Sequence, residues 1–461
     1  MAIASINPAT GELLEEYTPL SPAQLDDRLA RAAEAFRSYG VTPFDRRSEW
    51  MGEVADLMES EAPRLARTMT SEMGKTLPSS RAEVAKCVRG CRYYAARAES
   101  MLATREVDPA AVGARRAYVA YQPLGPVLAV MPWNFPMWQV MRFAAPALMA
   151  GNVALLKHAS NVPRTALAIE DLFVRAGFPS DVFQTLMIPS GDVERVVRDD
   201  RVRAVTLTGS GPAGAAVASI AGSEVKPVVL ELGGSDPFVV MPSADLEAAA
   251  DTAVASRCQN NGQSCIAAKR FIVHQEVADE WTSLFADRMA QLKVGDPMAE
   301  GTDVGPLATE TGRDDLAALV EDAQEKGARV VVGGHPMEGP GWFYAPTVVD
   351  GVTPEMRLFS EEAFGPVAQV HRVADIDQAI ELANATHFGL GSNAWTNDPA
   401  EQQQFASRLD AGAVFVNGMT ASFPEMPFGG VKKSGVGREL SEEGIRSFCN
   451  VKSVWIGGRQ E

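Results

Sequence analysis

The chain has 461 residues, enough for two or three domains, and it is 46% hydrophobic and 22% charged. Its formal net charge of −17 argues against nucleic acid or an anionic membrane as a partner. Five cysteines without a Cys-x-x-Cys pair and five histidines without metal spacing predict a reduced, cytoplasmic protein with no metal site.

The N-terminal part of the chain is predicted to be mainly helical. Residues 1–11 contain neither the basic nor the apolar segment of a signal peptide. Ser21 as N-cap and Pro22 as first helical residue predict a helix to about Tyr39. Further helices are predicted at 44–70 and 77–102. No stretch approaches 18 uninterrupted apolar residues, so we expect no membrane span.

Strands and helices alternate from residue 115 onward. An alternating segment at 115–121 is typical of one arm of a hairpin. The strands predicted after it are 126–130, 153–157, 204–208 and 227–231. The helices predicted between them are 137–150, 163–177 and 214–221. This alternation predicts a parallel α/β sheet.

The same alternation continues in the second half of the chain. An alanine-rich helix is predicted at 244–259, and a β-branched and aromatic strand at 270–273. Later helices are predicted at 281–292, 311–326 and 376–384. Later strands are predicted at 329–332, 391–395 and 413–417, and residues 445–456 end in an alternating segment.

Three polar side chains are candidates for catalysis. Cys265 lies in a short polar loop between a predicted helix and a strand. Glu231 ends an apolar strand, where burial would raise its pKa towards that of a general base. Asn134 lies in a turn between two prolines and can donate to an oxyanion. Separately, they could be a core thiol, a carboxylate bonded to local amides and a packed turn. Together they predict acyl chemistry through a thioester.

A glycine-rich segment predicts dinucleotide binding. Residues Gly209, Gly211 and Gly214 follow a strand and open a helix in the Gly-x-Gly-x-x-Gly pattern, with an unusual Pro212 inside it. Such a turn brings the backbone and a helix N-terminus close to a pyrophosphate.

Five motifs occur in the order and spacing of a known family. They are Pro132–Pro136, Thr208–Ser210, Glu231–Gly234, Gly262–Cys265 and Glu362–Pro366. Nearly the whole chain resembles the aldehyde dehydrogenase superfamily. Within it, the tracts Lys157–Asn161 and Gly391–Trp395 are most similar to bacterial succinate-semialdehyde dehydrogenases of the NADP-preferring type.

The resemblance implies an α/β fold with two Rossmann-type parallel domains and a small β oligomerisation element. The cofactor-binding domain would comprise residues 1–104 and 124–231, and the catalytic domain residues 232–444. The oligomerisation element would comprise 105–123 and 445–461, in a homodimer or homotetramer.

The resemblance also implies a role for each matching residue. Cys265 would be the nucleophile, Glu231 the base that activates water, and Asn134 the oxyanion donor. The cofactor would be bound by Trp133, Lys157, Ser160, Gly209, Ser210, Gly214, Leu232, Glu362 and Phe364. A cysteine that some relatives carry two residues after the nucleophile is Ala267 here. A redox switch would therefore need Cys258.

Ser160 bears on the choice of cofactor. Relatives that use NAD often carry glutamate at this position, where it would repel a 2′-phosphate. Serine removes that repulsion and Lys157 adds a positive charge. We therefore expect NADP to be preferred, with NAD possible but weaker. Alternatively, Ser160 only caps a turn and both cofactors serve.

A small-molecule semialdehyde is the expected substrate. Trp138 and Arg142 are four residues apart on a predicted helix and share a face, where a guanidinium could bind a carboxylate. The resemblance places Ser422 at the substrate entrance. These residues predict succinate semialdehyde. For Arg142, the alternative is an ion pair with a structural acid. For the substrate, the alternatives are another semialdehyde or an aromatic or aliphatic aldehyde. For the protein as a whole, the alternative is a non-catalytic relative.

Overall fold

The computed structural model describes residues 3–458, so the predicted unit 1–104 is described from residue 3 and the unit 445–461 up to residue 458. The described helices are α1 (Pro22–Tyr39), α2 (Phe44–Ser60), α3 (Ala62–Met73), α4 (Leu77–Met101), α5 (Trp138–Met149), α6 (Pro163–Arg175), α7 (Val193–Arg198), α8 (Gly211–Ser223), α9 (Leu246–Cys258), α10 (Ala278–Ala290), α11 (Glu310–Glu325), α12 (Arg357–Ser360), α13 (Ile376–Asn384), α14 (Pro399–Arg408) and α15 (Ser441–Arg446).

The strands of the described residues form four sheets. In chain order they are β1 (Ile3–Ile6), β2 (Leu13–Tyr17), β3 (Arg105–Val107), β4 (Arg116–Pro123), β5 (Pro126–Met131), β6 (Val153–His158), β7 (Phe183–Thr185), β8 (Ala204–Thr208), β9 (Val228–Glu231), β10 (Asp236–Val240), β11 (Ala268–His274), β12 (Arg329–Val332), β13 (Thr347–Asp350), β14 (Val367–Val373), β15 (Asn393–Trp395), β16 (Phe415–Val416), β17 (Gly435–Val436) and β18 (Cys449–Ile456).

A six-stranded sheet has the order β17-β9-β8-β5-β6-β7, with β17 antiparallel to its neighbour and the others parallel. The chain runs outward from β5 through β6 to β7, and then returns to place β8 and β9 on the other side. The order therefore reverses between β5 and β8. Ligands of such sheets bind outside the carboxyl ends of the strands at this switch point.

A seven-stranded sheet has the order β12-β13-β14-β11-β10-β15-β16, and only its edge strand β12 is antiparallel. Sequence patterns did not predict β10, β13 or β14. Strand β10 begins Asp236-Pro237, and a proline argues against a central strand. The structure accommodates it with a shift of register against β11 at this dipeptide. Parallel strands covered on both faces also lack the alternation that marks a half-exposed strand.

A three-stranded antiparallel sheet joins two distant parts of the chain. Strand β18 pairs along its whole length with β4, from Cys449 opposite Pro123 to Ile456 opposite Arg116, and β3 pairs with the other edge of β4. Val451 and Trp455 of β18 are each 59% exposed. Among residues 3–458, no helix is long and apolar enough to cross a membrane.

The helix predicted at 44–70 is two helices, α2 and α3. Glu61 separates them with φ −101° and ψ 11°, outside helical values. Pro63 then occupies the first turn of α3, where its missing N–H is tolerated although it could not continue the preceding helix. In contrast, α1 begins as predicted, because Ser21 and Gln24 form a capping box and Pro22 follows the cap.

Candidate active site

A left-handed turn positions the loop that carries Cys265. After α9 ends, Asn260, Asn261 and Gly262 have φ values of 55°, 58° and 76°. Three consecutive left-handed residues are uncommon because this region is unfavourable for residues with a Cβ. At Gly262 a Cβ would lie 2.3 Å from the carbonyl carbon of Gly365. Glycine therefore lets the turn rest directly on the segment 362–366.

The two asparagine side chains of the turn hold it to surrounding backbone. Asn261 donates to the carbonyls of Gly74 at 2.8 Å and Pro306 at 2.9 Å, and its oxygen accepts from the N–H of Gly305 at 2.9 Å. Asn260 donates to the carbonyl of Asn134 at 2.7 Å. These bonds satisfy buried backbone groups that no sheet or helix serves.

Lys269 was not predicted from the sequence, although it supports the loop from behind. Its ammonium group donates to the carbonyls of Ser264 at 3.0 Å, Cys265 at 2.9 Å and Ala267 at 3.1 Å. It also lies 3.3 Å from a carboxylate oxygen of Glu362. A lysine inside an otherwise buried strand was the available signal, since a buried ammonium needs such partners.

Cys265 is half-buried at the edge of a cavity. Burial raises the pKa of its thiol to about 12, and the positive charge of Arg142 partly opposes that rise. The thiol is therefore protonated at neutral pH, and a nucleophilic role requires a base to remove its proton.

The cavity has a volume of about 290 Å³ and unites eight of the predicted site residues. The lining comprises Pro132, Trp133, Asn134, Thr208, Gly209, Ser210, Leu232, Gly233, Cys265, Glu362 and Phe364. Three lining segments directly follow the carboxyl ends of β5, β8 and β9, on both sides of the switch point. The rings of Trp133 and Phe364 meet edge to face at 5.7 Å.

Asn134 presents its amide beside the loop that carries Cys265. Its nitrogen donates to the carbonyl of Gln263 at 3.1 Å, which leaves a second N–H for another oxygen. His158, which was not predicted as a site residue, holds the same turn through a 2.9 Å bond between its Nε2 and the carbonyl of Pro136. Burial lowers the pKa of His158 to about 4, so this ring is neutral.

Glu231 is fully buried at the end of β9. Neither carboxylate oxygen has a hydrogen-bond partner among the described residues. A Cβ on Gly429 would lie 2.6 Å from Oε1, so the carboxylate occupies space that this glycine leaves open. Burial raises the pKa of Glu231 to about 8, with Arg142 opposing the rise and Glu439 adding to it. The group does not line the 290 Å³ cavity.

Arg142, the expected substrate anchor, has a carboxylate partner in the structure. Its guanidinium is buried in an ion pair with Glu439, which is itself 2% exposed, and donates to the hydroxyl of Thr208 at 3.3 Å. This is the structural acid left open as the alternative. The guanidinium lies close enough to Cys265, Glu231 and Lys86 for its charge to affect the pKa of each, and a buried guanidinium requires a carboxylate such as that of Glu439. The guanidinium therefore already has a carboxylate partner, and the role of Arg142 as a substrate anchor stays a prediction.

Trp138 and Ser422 lie together as the sequence suggested, but their cationic neighbour is a different residue. The indole N–H of Trp138 donates to the hydroxyl oxygen of Ser422 at 3.0 Å. Lys86 of α4 donates to the same oxygen at 2.7 Å and lies 4.5 Å above the Trp138 ring. No local signal in the sequence marks Lys86, because it is one of many charged residues on a predicted surface helix.

The remaining predicted residues lie outside the 290 Å³ cavity. Lys157 of β6 is buried, and no carboxylate of the described residues is within 4 Å of its ammonium group. Ser160 is half-buried two residues after that strand, and its carbonyl accepts from Ala4 at 3.0 Å. Gly214 packs against Leu232, where a Cβ would lie 2.4 Å from Cδ2. A buried ammonium group without a carboxylate partner fits a phosphate-bearing group.

The sequence and the fold match known proteins along nearly the whole chain. The model of the aldehyde dehydrogenase family matches residues 1–454. A succinate-semialdehyde dehydrogenase [NADP(+)] of Mycobacterium avium is 62% identical over 458 residues, which is 99% of this chain and 97% of that protein. One from Mycobacterium tuberculosis is 60% identical over 456 residues, covering 99% and 100%.

A solved structure gives the same result for the fold. Succinic semialdehyde dehydrogenase from Streptococcus pyogenes, in complex with NADP+, superimposes with a TM-score of 0.96 at 35% identity. The match covers 99% of this chain and 100% of the other.

The turn at Gly262 leads to a prediction about Cys265. Gly262→Ala should greatly slow both dehydrogenase turnover and alkylation of Cys265 by iodoacetamide, because its Cβ would displace the loop from Gly365. Alkylation is measured by mass spectrometry of the intact protein. Gly211→Ala, at a glycine with open space around its Cβ, is the control for alkylation. Alkylation of Gly262→Ala at the wild-type rate would show that the contact does not position the thiol.

Proposed function

This chain belongs to the aldehyde dehydrogenase family, and we propose that it oxidises succinate semialdehyde to succinate with NADP as the preferred hydride acceptor. The observation that carries the proposal is the 60–62% identity, over 99% of the chain, to enzymes named for this substrate and cofactor. The cavity that contains Cys265 and Asn134 supports the chemistry.

The mechanism begins with proton transfer. Cys265 passes its thiol proton to water, and the positive charge of Arg142, which opposes the rise in the pKa of the thiol, favours this step. The thiolate then forms a bond to the aldehyde carbon. The free N–H of Asn134 donates to the oxyanion that results. NADP, when bound, supplies the acceptor for the hydride that leaves this carbon.

Hydrolysis completes the reaction. Loss of the hydride leaves the substrate as a thioester on Cys265. Glu231 takes a proton from water, the water oxygen attacks the thioester carbon, and the carbon–sulfur bond breaks to release the acid. A carboxylate with a raised pKa and no fixed hydrogen-bond partner is suited to take up and release this proton near neutral pH.

The cofactor would be held by two groups of residues. Trp133, Gly209, Ser210, Leu232, Glu362 and Phe364 line the cavity beside Cys265. Lys157 and Ser160 would hold the adenosine ribose and its 2′-phosphate, since Lys157 has no carboxylate partner and Ser160 carries no charge. Gly214 contributes by close packing of α8 against Leu232.

The substrate would lie beside Trp138 and Ser422, whose hydrogen bond places a polar group on an apolar wall. Alternative substrates are another semialdehyde or an aromatic or aliphatic aldehyde.

We also propose that the six-stranded sheet belongs to the cofactor-binding unit, the seven-stranded sheet to the catalytic unit, and the exposed β18–β4 sheet to an oligomer interface. The protein would be a cytoplasmic homodimer or homotetramer. Light scattering that finds a monomer at micromolar concentration would contradict the oligomer.

A panel of aldehydes with NADP and NAD tests the proposed function. We expect the highest kcat/KM for succinate semialdehyde with NADP, a lower value for glutarate semialdehyde, and a much lower one for butanal. Absence of reduced cofactor with every aldehyde would favour a non-catalytic relative. A higher kcat/KM for butanal or benzaldehyde would refute the substrate assignment.

Replacing the carboxylate of Glu231 separates the two halves of the reaction. Glu231→Gln should release about one equivalent of reduced cofactor per active site and then stall, because the amide cannot activate water for hydrolysis of the thioester. Stopped-flow absorbance of the reduced cofactor measures this burst. Cys265→Ala is the control and should give no burst. Wild-type steady-state turnover by Glu231→Gln would exclude the assigned role.

Introducing a carboxylate at Ser160 tests the basis of cofactor choice. Ser160→Glu should shift the ratio of kcat/KM for NADP over NAD by at least about tenfold towards NAD, since the new charge would repel a 2′-phosphate. Ser160→Gln, which has the same size without the charge, should shift the ratio much less. Equal shifts by both variants would assign the effect to size.

A further inference from the structure

Two donors converge on the hydroxyl oxygen of Ser422. One is the Lys86 ammonium group at 2.7 Å and the other is the indole N–H of Trp138 at 3.0 Å. Since the oxygen accepts both bonds, the hydroxyl hydrogen remains available to donate to a further acceptor. The aromatic ring of Trp138 fixes this arrangement further, because Lys86 lies 4.5 Å above it.

Lys86 also lines a second cavity, of about 500 Å³, whose lining does not include Trp138 or Ser422. Phe135 and Asn260 line this cavity, and both are attached to the catalytic turn: Phe135 follows Asn134, and Asn260 bonds to the Asn134 carbonyl at 2.7 Å. The second cavity thus adjoins the turn that carries Asn134 and shares no lining residue with the 290 Å³ cavity.

The charges around the second cavity leave Lys86 without a counter-ion. Of the described lining residues, Lys86 alone is a cation. The acids in the lining have other partners: Glu83 pairs with Lys75, Asp251 with Arg288, and Asp303 accepts from the N–H of Lys293. No carboxylate within residues 3–458 lies within 4 Å of the Lys86 nitrogen.

The ammonium group of Lys86 is charged at neutral pH even in this setting. Burial lowers its pKa to about 8, with the nearby charge of Arg142 contributing in the same direction. A partly buried cation without a counter-ion is stabilised by an anion that enters the cavity.

We propose that Lys86 is the residue that binds the far carboxylate of the substrate, with Ser422 and Trp138 orienting it. The assignment rests on the proposed function, in that the substrate must carry an acid group away from its aldehyde. Arg142 is the competing candidate, but its guanidinium is already paired with Glu439. Lys86 therefore sets specificity for semialdehyde acids over neutral aldehydes.

Removal of the Lys86 charge should affect one class of substrate. Lys86→Met should lower kcat/KM for succinate semialdehyde by about 10- to 100-fold, mainly through KM, and leave butanal within about twofold. Both aldehydes have four carbons and differ at the acid end. Lys86→Arg, which keeps the charge, should retain most of the activity on succinate semialdehyde. Steady-state kinetics with saturating NADP measure all of these values.

Matched variants serve as controls. Arg92→Met removes one positive charge from an exposed position of the same helix, where the guanidinium bonds to Asp56 and Glu59. It should leave both substrates unchanged. Lys86→Gln is a second neutral variant if Lys86→Met does not fold, and turnover of butanal reports that each variant is intact.

The possible outcomes separate this assignment from the proposed function. Equal losses for the two aldehydes, or no loss for either, would overturn the role of Lys86. So would a selective loss of succinate semialdehyde in Arg142→Met but not in Lys86→Met, which would restore Arg142 as the anchor. If wild-type enzyme instead turns over butanal as well as succinate semialdehyde, the substrate assignment itself fails, and with it the role given to Lys86.

Discussion

The backbone contact between Gly262 and Gly365 is the constraint on which the rest of the site depends. The turn before it places two asparagines in the left-handed region, at roughly 1–2 kcal/mol each. Hydrogen bonds from their side chains to buried carbonyls offset that cost. Because the turn rests on Gly365, the position of Cys265 relative to the ends of β5, β8 and β9 is fixed. A side chain at Gly262 would separate the loop that carries Cys265 from the segment that carries Glu362, whereas one at Gly365 would meet Leu316.

The buried charged groups near the two cavities differ in whether they have a charged partner. Two ion pairs are buried near the cavities, Lys75–Glu83 and Arg142–Glu439, and a third, Lys269–Glu362, is partly exposed at the glutamate. Breaking such a pair would leave an uncompensated charge and cost about 3–5 kcal/mol. The titratable groups without a partner are of another kind. Glu231, Lys157 and Lys86 adjoin the spaces where a reacting proton, a phosphate and a carboxylate would each supply the missing interaction.

The chemistry-bearing segments were predictable from the sequence because they directly follow strands. A parallel sheet brings its carboxyl ends to one edge, so Asn134 and Gly209 could be placed together before any contact was known. Side-chain partners could not be predicted in this way. Arg142 and Trp138 share a helix face by their spacing, yet a rotation of the helix against its neighbours sends one to Glu439 and the other to Ser422.

The features that sequence patterns did not predict also depend on a single residue or on contacts between distant parts of the chain. The proline of β10 conceals a central strand, and the split between α2 and α3 depends on a single residue, Glu61. Lys86 lies 336 residues from Ser422 along the chain, and nothing near it in sequence distinguishes it from a solvated surface lysine. The packing of α4 against α5 brings it over the ring of Trp138.

The turn Pro132–Pro136 explains how one site keeps its two ligands apart. Trp133 lines the cavity that contains Cys265, and Phe135 lines the second cavity, on which Lys86 also lies. Asn134 stands between them with its side chain at the nucleophile loop. Prolines at both ends and the bond from His158 prevent the turn from rotating. In the proposed function, the three successive residues would contact the hydride acceptor, the developing oxyanion and the aldehyde in turn. A flexible segment of the same composition would not keep the two cavities separate. The rigidity of the turn therefore contributes to the site together with the amide of Asn134.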